Sequence, residues 1–369
     1  MVKKITKIVI GTVFIIMLLL LGNIYIPQIA SKYYNWTYVA ASTEDPDGFE
    51  QLLRDAVIET IKNDSWNVPL GSYQSLFQFL NGDISVFGYG EFGYLMHYAY
   101  LYGEEKKDSE LMNLIKNKFD KNVLGEAFLR NDQTSYGLVA IDLYKDSHDN
   151  KYKEYADAIF NCLDSLDKED GLVIYNKKHP EQRVDGIGLV CPFLYDYFSE
   201  FKLERSRQIA DKMVRDFIRY GTDETNGVPA KAYGLMNHIK HISPNWGRGI
   251  SWYLLGIMGS DSLDDECESR IQRLETELLK NGNCLYPQYF DEGEQPDMSS
   301  TIPVLWYLTQ KGLLHLSRKD FTKIVSGYFD NDGIVRWCSP VVNSGKGVDN
   351  KTTNLFCQGL ALYMMAELE

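Results

Sequence analysis

Acidic, basic and aromatic side chains occur together at a few points of the sequence, each at the start of an apolar run. Asp132 lies before one such run, Arg183 and Asp185 before the next, and Trp246 and Arg248 before a third. Two carboxyl groups can move protons, an arginine can bind a substrate carboxylate, and an indole ring can stack on a sugar ring. These residue types together indicate a site for a sugar that carries a carboxylate.

Several of the same side chains also have a purely structural interpretation. Asp132 and Asp185 could each cap the helix that follows, because aspartate is a favoured N-cap residue. Trp252 lies inside an apolar run, where packing in the core is as reasonable as contact with a sugar. The starts of two further runs add Asp297 and Lys351 to the polar residues that could face a shared cavity.

The apolar runs are the first halves of a unit that recurs along the chain. Each run predicts a helix that is apolar on most sides, and a charged amphipathic helix follows most of them. This pairing is typical of the inner and outer helices of two concentric rings. The runs begin at Gly88, Ser135, Gly186, Gly247, Ser299 and Thr352.

The last unit has no outer helix of its own, but the chain contains a spare one. The segment from Asp47 to Asn63 is amphipathic and precedes the first unit. Six inner and six outer helices would therefore close into an all-α (α/α)6 toroid over residues 45–369, although an open helical solenoid is the alternative. Short strands are expected at the turns, around 171–175 and 333–337.

The N-terminus predicts a membrane anchor. Lys3, Lys4 and Lys7 precede an almost wholly apolar stretch from Ile8 to Ile26, which is long enough to cross a bilayer as a helix. Under the positive-inside rule, residues 1–31 form a cytoplasmic tip and a single-pass transmembrane helix. Residues 32–44 would then be a linker, and the toroid would lie outside the cell membrane.

Composition narrows the functional classes further. The chain of 369 residues has a net charge of -13, with no basic run beyond the N-terminus, which argues against a nucleic-acid partner. The 6 cysteines are scattered without the spacing of a zinc or iron–sulfur site, so we expect no metal and no cofactor. The expected partner is an oligosaccharide or polysaccharide, with the membrane contacted only through the anchor.

Four segments resemble a known family. They are NDQTSYGLVAIDLY (131–144), RVDGIGLVCPFLYDYF (183–198), SPNWGRGISWYLLG (243–256) and SSTIPVLWYL (299–308). They look like the unsaturated glucuronyl and unsaturated rhamnogalacturonyl hydrolases, which are six-hairpin (α/α)6 glycosidases. The resemblance implies removal of a terminal 4,5-unsaturated uronic acid from an oligosaccharide. In that family the enzyme hydrates the vinyl ether and does not displace the glycosidic bond directly.

The same resemblance implies a role for each matching residue. Asp185 becomes the proton donor, Asp132 the second essential acid, Arg248 the arginine near the substrate, and Trp246 and Trp252 the walls of the groove. Protonating a carbon atom requires an acid that stays neutral near the working pH. Apolar neighbours would raise the pKa of Asp185 in this way, whereas a nearby Arg183 would oppose the shift.

The chain departs from the family pattern in the segment GVPAKAYG (227–234). Lys231 stands where the family has a substrate-contacting histidine, and Gly234 stands where it has an aspartate. We expect Lys231, Tyr233, Gln133 and Arg183 to contact substrate as well. Because of these departures, two alternatives stay open: an inverting glycosidase that trims a surface or capsular polysaccharide, and a glycan-binding protein that has lost catalysis.

Overall fold

The structure is a computed structural model. It describes residues 11–18, 38–62, 90–125, 131–165, 168–169, 172–173, 180–241, 246–261, 263–290, 292–339, 348 and 352–369. The predicted contact Lys351, most of the predicted anchor and the linker up to residue 37 lie outside these residues. Residues 11–18 are helical with exposed side chains, and Phe14 is 62% exposed. Among the described residues, no helix has both the length and the apolarity needed to cross a bilayer.

Twelve helices from residue 46 onward make up the body of the described chain. In chain order they are α1 (Pro46–Lys62), α2 (Gly90–Lys106), α3 (Ser109–Asn122), α4 (Ser135–Ser147), α5 (Asn150–Ser165), α6 (Val184–Phe201), α7 (Glu204–Asp216), α8 (Gly247–Ile257), α9 (Asp265–Leu279), α10 (Met298–Gln310), α11 (Arg318–Val325) and α12 (Leu355–Glu367). Three shorter helical turns occupy Asn131–Thr134, Phe217–Gly221 and Ser326–Tyr328.

The even-numbered helices form the inner ring. Each packs on the next even-numbered helix, and α12 packs on α2, so the ring is closed. Their burial follows from their apolar sequences: every residue of α4 from Ser135 to Leu143 is buried. The outer helix α7 buries only one face, formed by Ser206, Ile209, Ala210, Met213 and Val214, which is the spacing of an amphipathic helix.

Glycines allow neighbouring inner helices to approach closely. A Cβ atom on Gly188 of α6 would lie 2.3 Å from the carbonyl oxygen of Trp252 in α8. A Cβ atom on Gly359 of α12 would lie 2.9 Å from the Cα atom of Leu95 in α2. Side chains at these two positions would push the helices apart, so glycine sets the diameter of the ring here.

The N-terminal helix α1 completes the outer ring. It packs against α12, α3 and α11, and its residues Phe49, Leu53, Val57 and Ile61 are completely buried. Ion pairs join α1 to two of these helices. Arg54 binds Asp108, the N-cap of α3, at 2.5 Å, and Glu50 binds Arg318 of α11. These contacts confirm the predicted (α/α)6 toroid and its closure, and they exclude an open solenoid.

Short strands lie in the turns that connect the helices. They are β1 (Lys168–Glu169) with β2 (Leu172–Val173), β3 (Glu181–Arg183) with β4 (Ala232–Gly234) and β5 (Lys240–His241), and β6 (Pro287–Tyr289) with β7 (Glu292–Pro296). All pairs are antiparallel, and Arg183 of β3 lies opposite Ala232 of β4. The strand expected around 171–175 is present at Leu172–Val173. The one expected at 333–337 is reduced to an isolated bridge between Phe329 and Val335.

Candidate active site

The candidate site lies where the inner helices begin. Strand β3 ends at Arg183, and α6 starts at Val184, whose N–H donates to the carbonyl oxygen of Lys231 at 2.9 Å. This bond ties the first turn of α6 to the chain just before β4. It thereby places Asp185 beside a rigid three-stranded sheet and not on a free loop.

Asp185 is a partly buried carboxyl group with few partners. Its Oδ1 accepts a hydrogen bond from the N–H of Gly186 at 3.1 Å. Burial raises the pKa of Asp185, and this effect exceeds the opposing influence of the positive charges on Arg183 and Arg248. The opposition expected from Arg183 is therefore real but too weak. The N-cap of α6 is Arg183, so Asp185 does not have the alternative role of a helix cap.

Arg248 is held in place by protein groups. Its Nη2 donates to Glu91 at 2.6 Å, and its Nη1 donates to the carbonyl oxygen of Ser339 at 3.1 Å. Glu91 also accepts a hydrogen bond from Asn354 at 3.0 Å. Both terminal nitrogens of the guanidinium are thus bound to protein groups, and its Nε is buried without a hydrogen-bond partner among the described residues. In this arrangement Arg248 links α8 to α2 and α12, and it contributes a positive charge to the site.

The cations at the three-stranded sheet differ in whether they form ion pairs with described residues. Arg183 Nε donates to Glu181 at 2.6 Å, and the other oxygen of Glu181 lies 3.5 Å from Nδ1 of His241. Lys231 is partly exposed and makes no ion pair with any described residue. Among the predicted cations that lie in the described ranges, Lys231 is therefore the one without an ion-pair partner.

The predicted aromatic contacts are buried in the walls. Trp246 is 6% exposed, with its ring over Gly249 in the first turn of α8. Trp252 is 3% exposed and stacks on Phe356, with ring centroids 5.1 Å apart. Tyr233 is 1% exposed and packs on Phe217. The structure therefore gives both rings packing roles. Phe356 covers Trp252, for which core packing was the alternative to lining the groove, and Phe217 packs on Tyr233, which was predicted to contact substrate.

Asp132 and Gln133 lie in the short helix Asn131–Thr134, which packs against α6. Thr134 fixes this contact by donating to the carbonyl oxygen of Leu189 at 2.5 Å. The backbone of Asp132 is therefore close to the helix that carries Asp185, and the Asp132 side chain lies outside the described part of the chain. Gln133 is partly exposed.

Asp297 was expected to face the shared cavity, but the structure places it inside the protein. It is completely buried and accepts hydrogen bonds from Ser299, Ser300 and Ser339. It caps α10 and holds the Ser339 segment against it. Asp297 is thus a structural residue.

Sequence reasoning missed two residues of the site. Glu91 lies in the first turn of α2, and Asn354 is the N-cap of α12. Both are polar residues at the start of an inner helix, which is the same signal that selected Asp185 and Arg248. In the last unit that criterion selected Lys351, three residues before Asn354, and the first unit, which contains Glu91, gave no candidate.

Comparison with known proteins places this arrangement in a family. Residues 87–273 match the family model described as Glycosyl Hydrolase Family 88. No curated protein has a sequence that matches this chain significantly.

Solved structures share the fold at low sequence identity. A possible member of the GH105 family from Salmonella enterica serovar Paratyphi A is 14% identical with a TM-score of 0.68, covering 88% of this chain and 94% of that one. An unsaturated glucuronyl hydrolase specific for heparin is 13% identical with a TM-score of 0.64, covering 87% and 96%. An α-1,6-mannanase of Salegentibacter is 12% identical with a TM-score of 0.60, covering 88% and 100%.

The family model covers half of the chain, and the solved relatives share its ring of helix pairs. The match also includes Asp185 and Arg248 at the mouth of the ring. The chain belongs to glycosyl hydrolase family 88 and is a glycoside hydrolase.

Proposed function

We propose that the protein removes a 4,5-unsaturated uronic acid from the end of an oligosaccharide by hydrating its vinyl ether. The observation that carries this proposal is the carboxyl group of Asp185, which burial keeps protonated to higher pH than usual at the mouth of the ring. Asp185 gives its proton to C4 of the unsaturated sugar. It then takes a proton from the water that adds to C5, so the acid is regenerated, and the resulting hemiketal opens and releases the rest of the oligosaccharide.

The positive charges around Asp185 support an acidic substrate. Arg183 and Arg248 raise the local potential while bound to Glu181 and Glu91. Lys231, which has no ion-pair partner among the described residues, is the group that we assign to the substrate carboxylate. A similar fold occurs in a hydrolase specific for heparin, which is itself an acidic polysaccharide.

The test is incubation with a panel of oligosaccharides made by polysaccharide lyases, following the loss of absorbance of the unsaturated bond. Wild-type protein should consume at least one member, and Asp185→Asn should not. Saturated forms of the same oligosaccharides are the matched control substrates. Cleavage of saturated and unsaturated forms at equal rates would reject hydration.

A second candidate is an inverting glycosidase that acts on a saturated surface or capsular polysaccharide. The replacement of the family histidine by Lys231 favours it, because a residue expected at the substrate has changed its chemistry. The two candidates differ in the product: only hydration gives a product that has lost the double bond. Binding without turnover of any substrate would leave the glycan-binding alternative.

We also propose that residues 8–26 anchor the protein in the cell membrane with the toroid outside. The apolar, exposed side chains of the helical residues 11–18 support this proposal. Removing residues 1–37 should move the protein from the membrane fraction to the soluble fraction with its activity unchanged. The cut must stop there, because Tyr38 donates to the carbonyl oxygen of Gly327 and Ala41 N–H donates to that of Phe329. A truncated protein that still pellets with membranes would contradict the anchor.

A further inference from the structure

A second cavity lies at the opposite end of the inner ring from Asp185. It has a volume of about 290 Å³, and its walls come mostly from the middle and the C-terminal parts of the inner helices. Each inner helix or the residues just after it contribute, including His97, Asp142, Asp196, Met258, Trp306 and Tyr363. The cavity is therefore built by the whole ring and not by one loop.

The fold keeps this cavity apart from the candidate active site. Asp196 follows Asp185 by about three turns of α6, which is roughly 16 Å along the helix axis. Between the two levels the ring is filled by aromatic side chains: Tyr94 contacts Trp252 at 5.8 Å, and Trp252 stacks on Phe356 at 5.1 Å. A ligand in the cavity would not reach Asp185 through this layer.

The electrostatics of the cavity are negative. The C-terminal ends of helices carry partial negative charge, and the inner helices point these ends toward it. Asp196 and Glu367 add carboxylates, while His97 balances Asp142 by an ion pair of 2.6 Å. Burial lowers the pKa of His97, but Asp142 more than compensates and leaves that pKa raised. Lys145 is the remaining cation among the described lining residues.

Three polar side chains of the lining make no hydrogen bond with any described residue. Trp306 has a buried Nε1 without a partner. Asp196 is partly exposed and makes no hydrogen bond or ion pair with any described residue. Tyr98 is 4% exposed, and its hydroxyl group has no hydrogen-bond partner among the described residues. The Asp196 carboxylate and the Tyr98 hydroxyl therefore border the cavity with hydrogen-bonding capacity that a ligand can use.

The rest of the wall is aromatic. The ring of Tyr98 lies 6.2 Å from that of Trp306 and 5.8 Å from that of Tyr363. Aromatic faces next to carboxylates attract organic cations through cation–π contacts and ion pairing. A neutral or anionic ligand would gain nothing from the negative potential of Asp196 and Glu367.

We infer that this cavity binds a small organic cation with a protonated amine, separately from the substrate at the other mouth. The ammonium group donates hydrogen bonds to the Asp196 carboxylate and the Tyr98 hydroxyl, and its body packs on Trp306 and Tyr363. The cavity has room for about ten waters at roughly 30 Å³ each, which is the size of one sugar ring. An amine carried on a sugar ring is therefore a suitable probe.

The test is isothermal titration calorimetry of the full-length protein with glucosamine, and with glucose as the neutral probe of nearly the same shape. Glucosamine should bind at least tenfold more tightly than glucose at a pH where its amine is protonated. Asp196→Asn should remove that preference, and Tyr98→Phe should weaken glucosamine binding severalfold. Glu154→Gln, which removes an exposed carboxylate from the outer helix α5, should change the affinity by less than twofold.

Asp185→Asn shows which of the two sites binds the amine. It changes the candidate active site only, so glucosamine affinity should stay unchanged. A glucosamine affinity that depends on Asp185 and not on Asp196 would overturn the proposal, because the amine would then occupy the active site. Equal affinities for glucosamine and glucose, or no binding of glucosamine by wild-type protein, would also overturn it. If Asp196→Asn fails to fold, as judged by circular dichroism, Tyr98→Phe decides the same question.

Discussion

The two ends of the inner ring differ in the partners that they offer to acidic side chains. At the end where the helices begin, Glu91 is bound by Arg248 and Asn354, and Asp185 accepts a backbone N–H. At the end where they finish, Asp196 has no partner among the described residues, and it faces helix termini of its own sign. The first end stabilises negative charge within the protein, whereas the second requires a cation from outside.

The two ends also differ in the charges that surround an aspartate with a raised pKa. Burial raises the pKa of both Asp185 and Asp196. At Asp185 the nearby Arg183 and Arg248 limit the shift, which suits a group that must release and regain a proton in each turnover. At Asp196 the opposing charges are His97 and Lys145, and neither forms an ion pair with it. A bound ammonium group would supply the ion-pair partner that Asp196 lacks and would lower its raised pKa.

Removing α1 should have the largest effect, because both ends depend on a closed ring. A protein that starts at residue 63 lacks Phe49, Leu53, Val57 and Ile61, each worth roughly 1.5–3 kcal/mol of burial. That sum is comparable to the whole stability of a domain, so we expect aggregation or loss of cooperative unfolding. Calorimetric melting is the measurement, and a protein that starts at Tyr38 is the control. A cooperative monomeric melt of the shorter protein would show that the ring does not need α1.

Asp185→Asn should have the next largest effect and should change one end only. The amide cannot donate a proton to carbon, so kcat should fall by about 10²–10⁴-fold, the usual contribution of a general acid. The melting temperature should move little, since this side chain accepts its hydrogen bond from the N–H of Gly186 and an amide oxygen can accept the same bond. Steady-state kinetics on an unsaturated oligosaccharide give the result. Unchanged turnover would assign Asp185 a structural role.

Arg248→Ala tests whether this arginine stabilises the ring of helices or binds the carboxylate of the substrate. The change leaves Glu91 without its 2.6 Å partner and frees the Ser339 carbonyl, so unfolding free energy should fall by about 1–3 kcal/mol. Because the guanidinium is already engaged, KM should rise by similar factors for acidic and neutral oligosaccharides. Urea unfolding and paired KM values are the measurements, with Lys231→Gln as the comparison. Selective loss of acidic substrates in Arg248→Ala would restore its role as the carboxylate contact.

Asp196→Asn should stabilise the ligand-free protein. It replaces a desolvated carboxylate that lacks a partner by a neutral side chain of the same size, and such replacements typically gain about 1 kcal/mol or more. The melting temperature should therefore rise in the absence of amines, while Glu154→Gln should leave it unchanged. A lower melting temperature for Asp196→Asn would mean that the carboxylate already has a stabilising partner in the protein.

Arg183→Gln should produce the smallest effect, a shift in pH dependence. The positive charge of Arg183 lowers the pKa of Asp185, so removing it raises that pKa further. The proton donor then stays protonated to higher pH, and the descending alkaline limb of kcat/KM moves upward by up to about one pH unit. The double variant Arg183→Gln with Glu181→Gln controls for the unpaired Glu181. An ascending acid limb that moves upward, with the alkaline limb unchanged, would show that Asp185 acts in its ionised form.

The architecture was predictable because its signals are local. Apolar runs followed by charged amphipathic segments specify inner and outer helices one unit at a time, and the segment from Asp47 to Asn63 became α1 with almost the same bounds. The position of Asp185 was predictable for the same reason, since the start of an inner helix can be recognised within a few residues. The structure confirms its place in the first turn of α6.

Side-chain environments were decided by tertiary structure, because they depend on residues far apart in the chain. Arg248 is bound by Glu91 and by the carbonyl of Ser339, and no local pattern connects these three positions. Trp252 was predicted to line a groove, but Phe356 of α12 covers it. Residue type alone told us that an arginine and an indole could bind a sugar acid, and only the packing of helices decided which groups were still available.

The second cavity illustrates the same limit most clearly. The sequence by itself determined that six apolar helices would form a ring, and it placed His97, Asp142, Asp196 and Glu367 within four of them. Single charged residues in separate apolar helices carry no signal of a common site. Only closure of the ring brings them to one cavity, where the helix termini and an unpartnered carboxylate favour a cation.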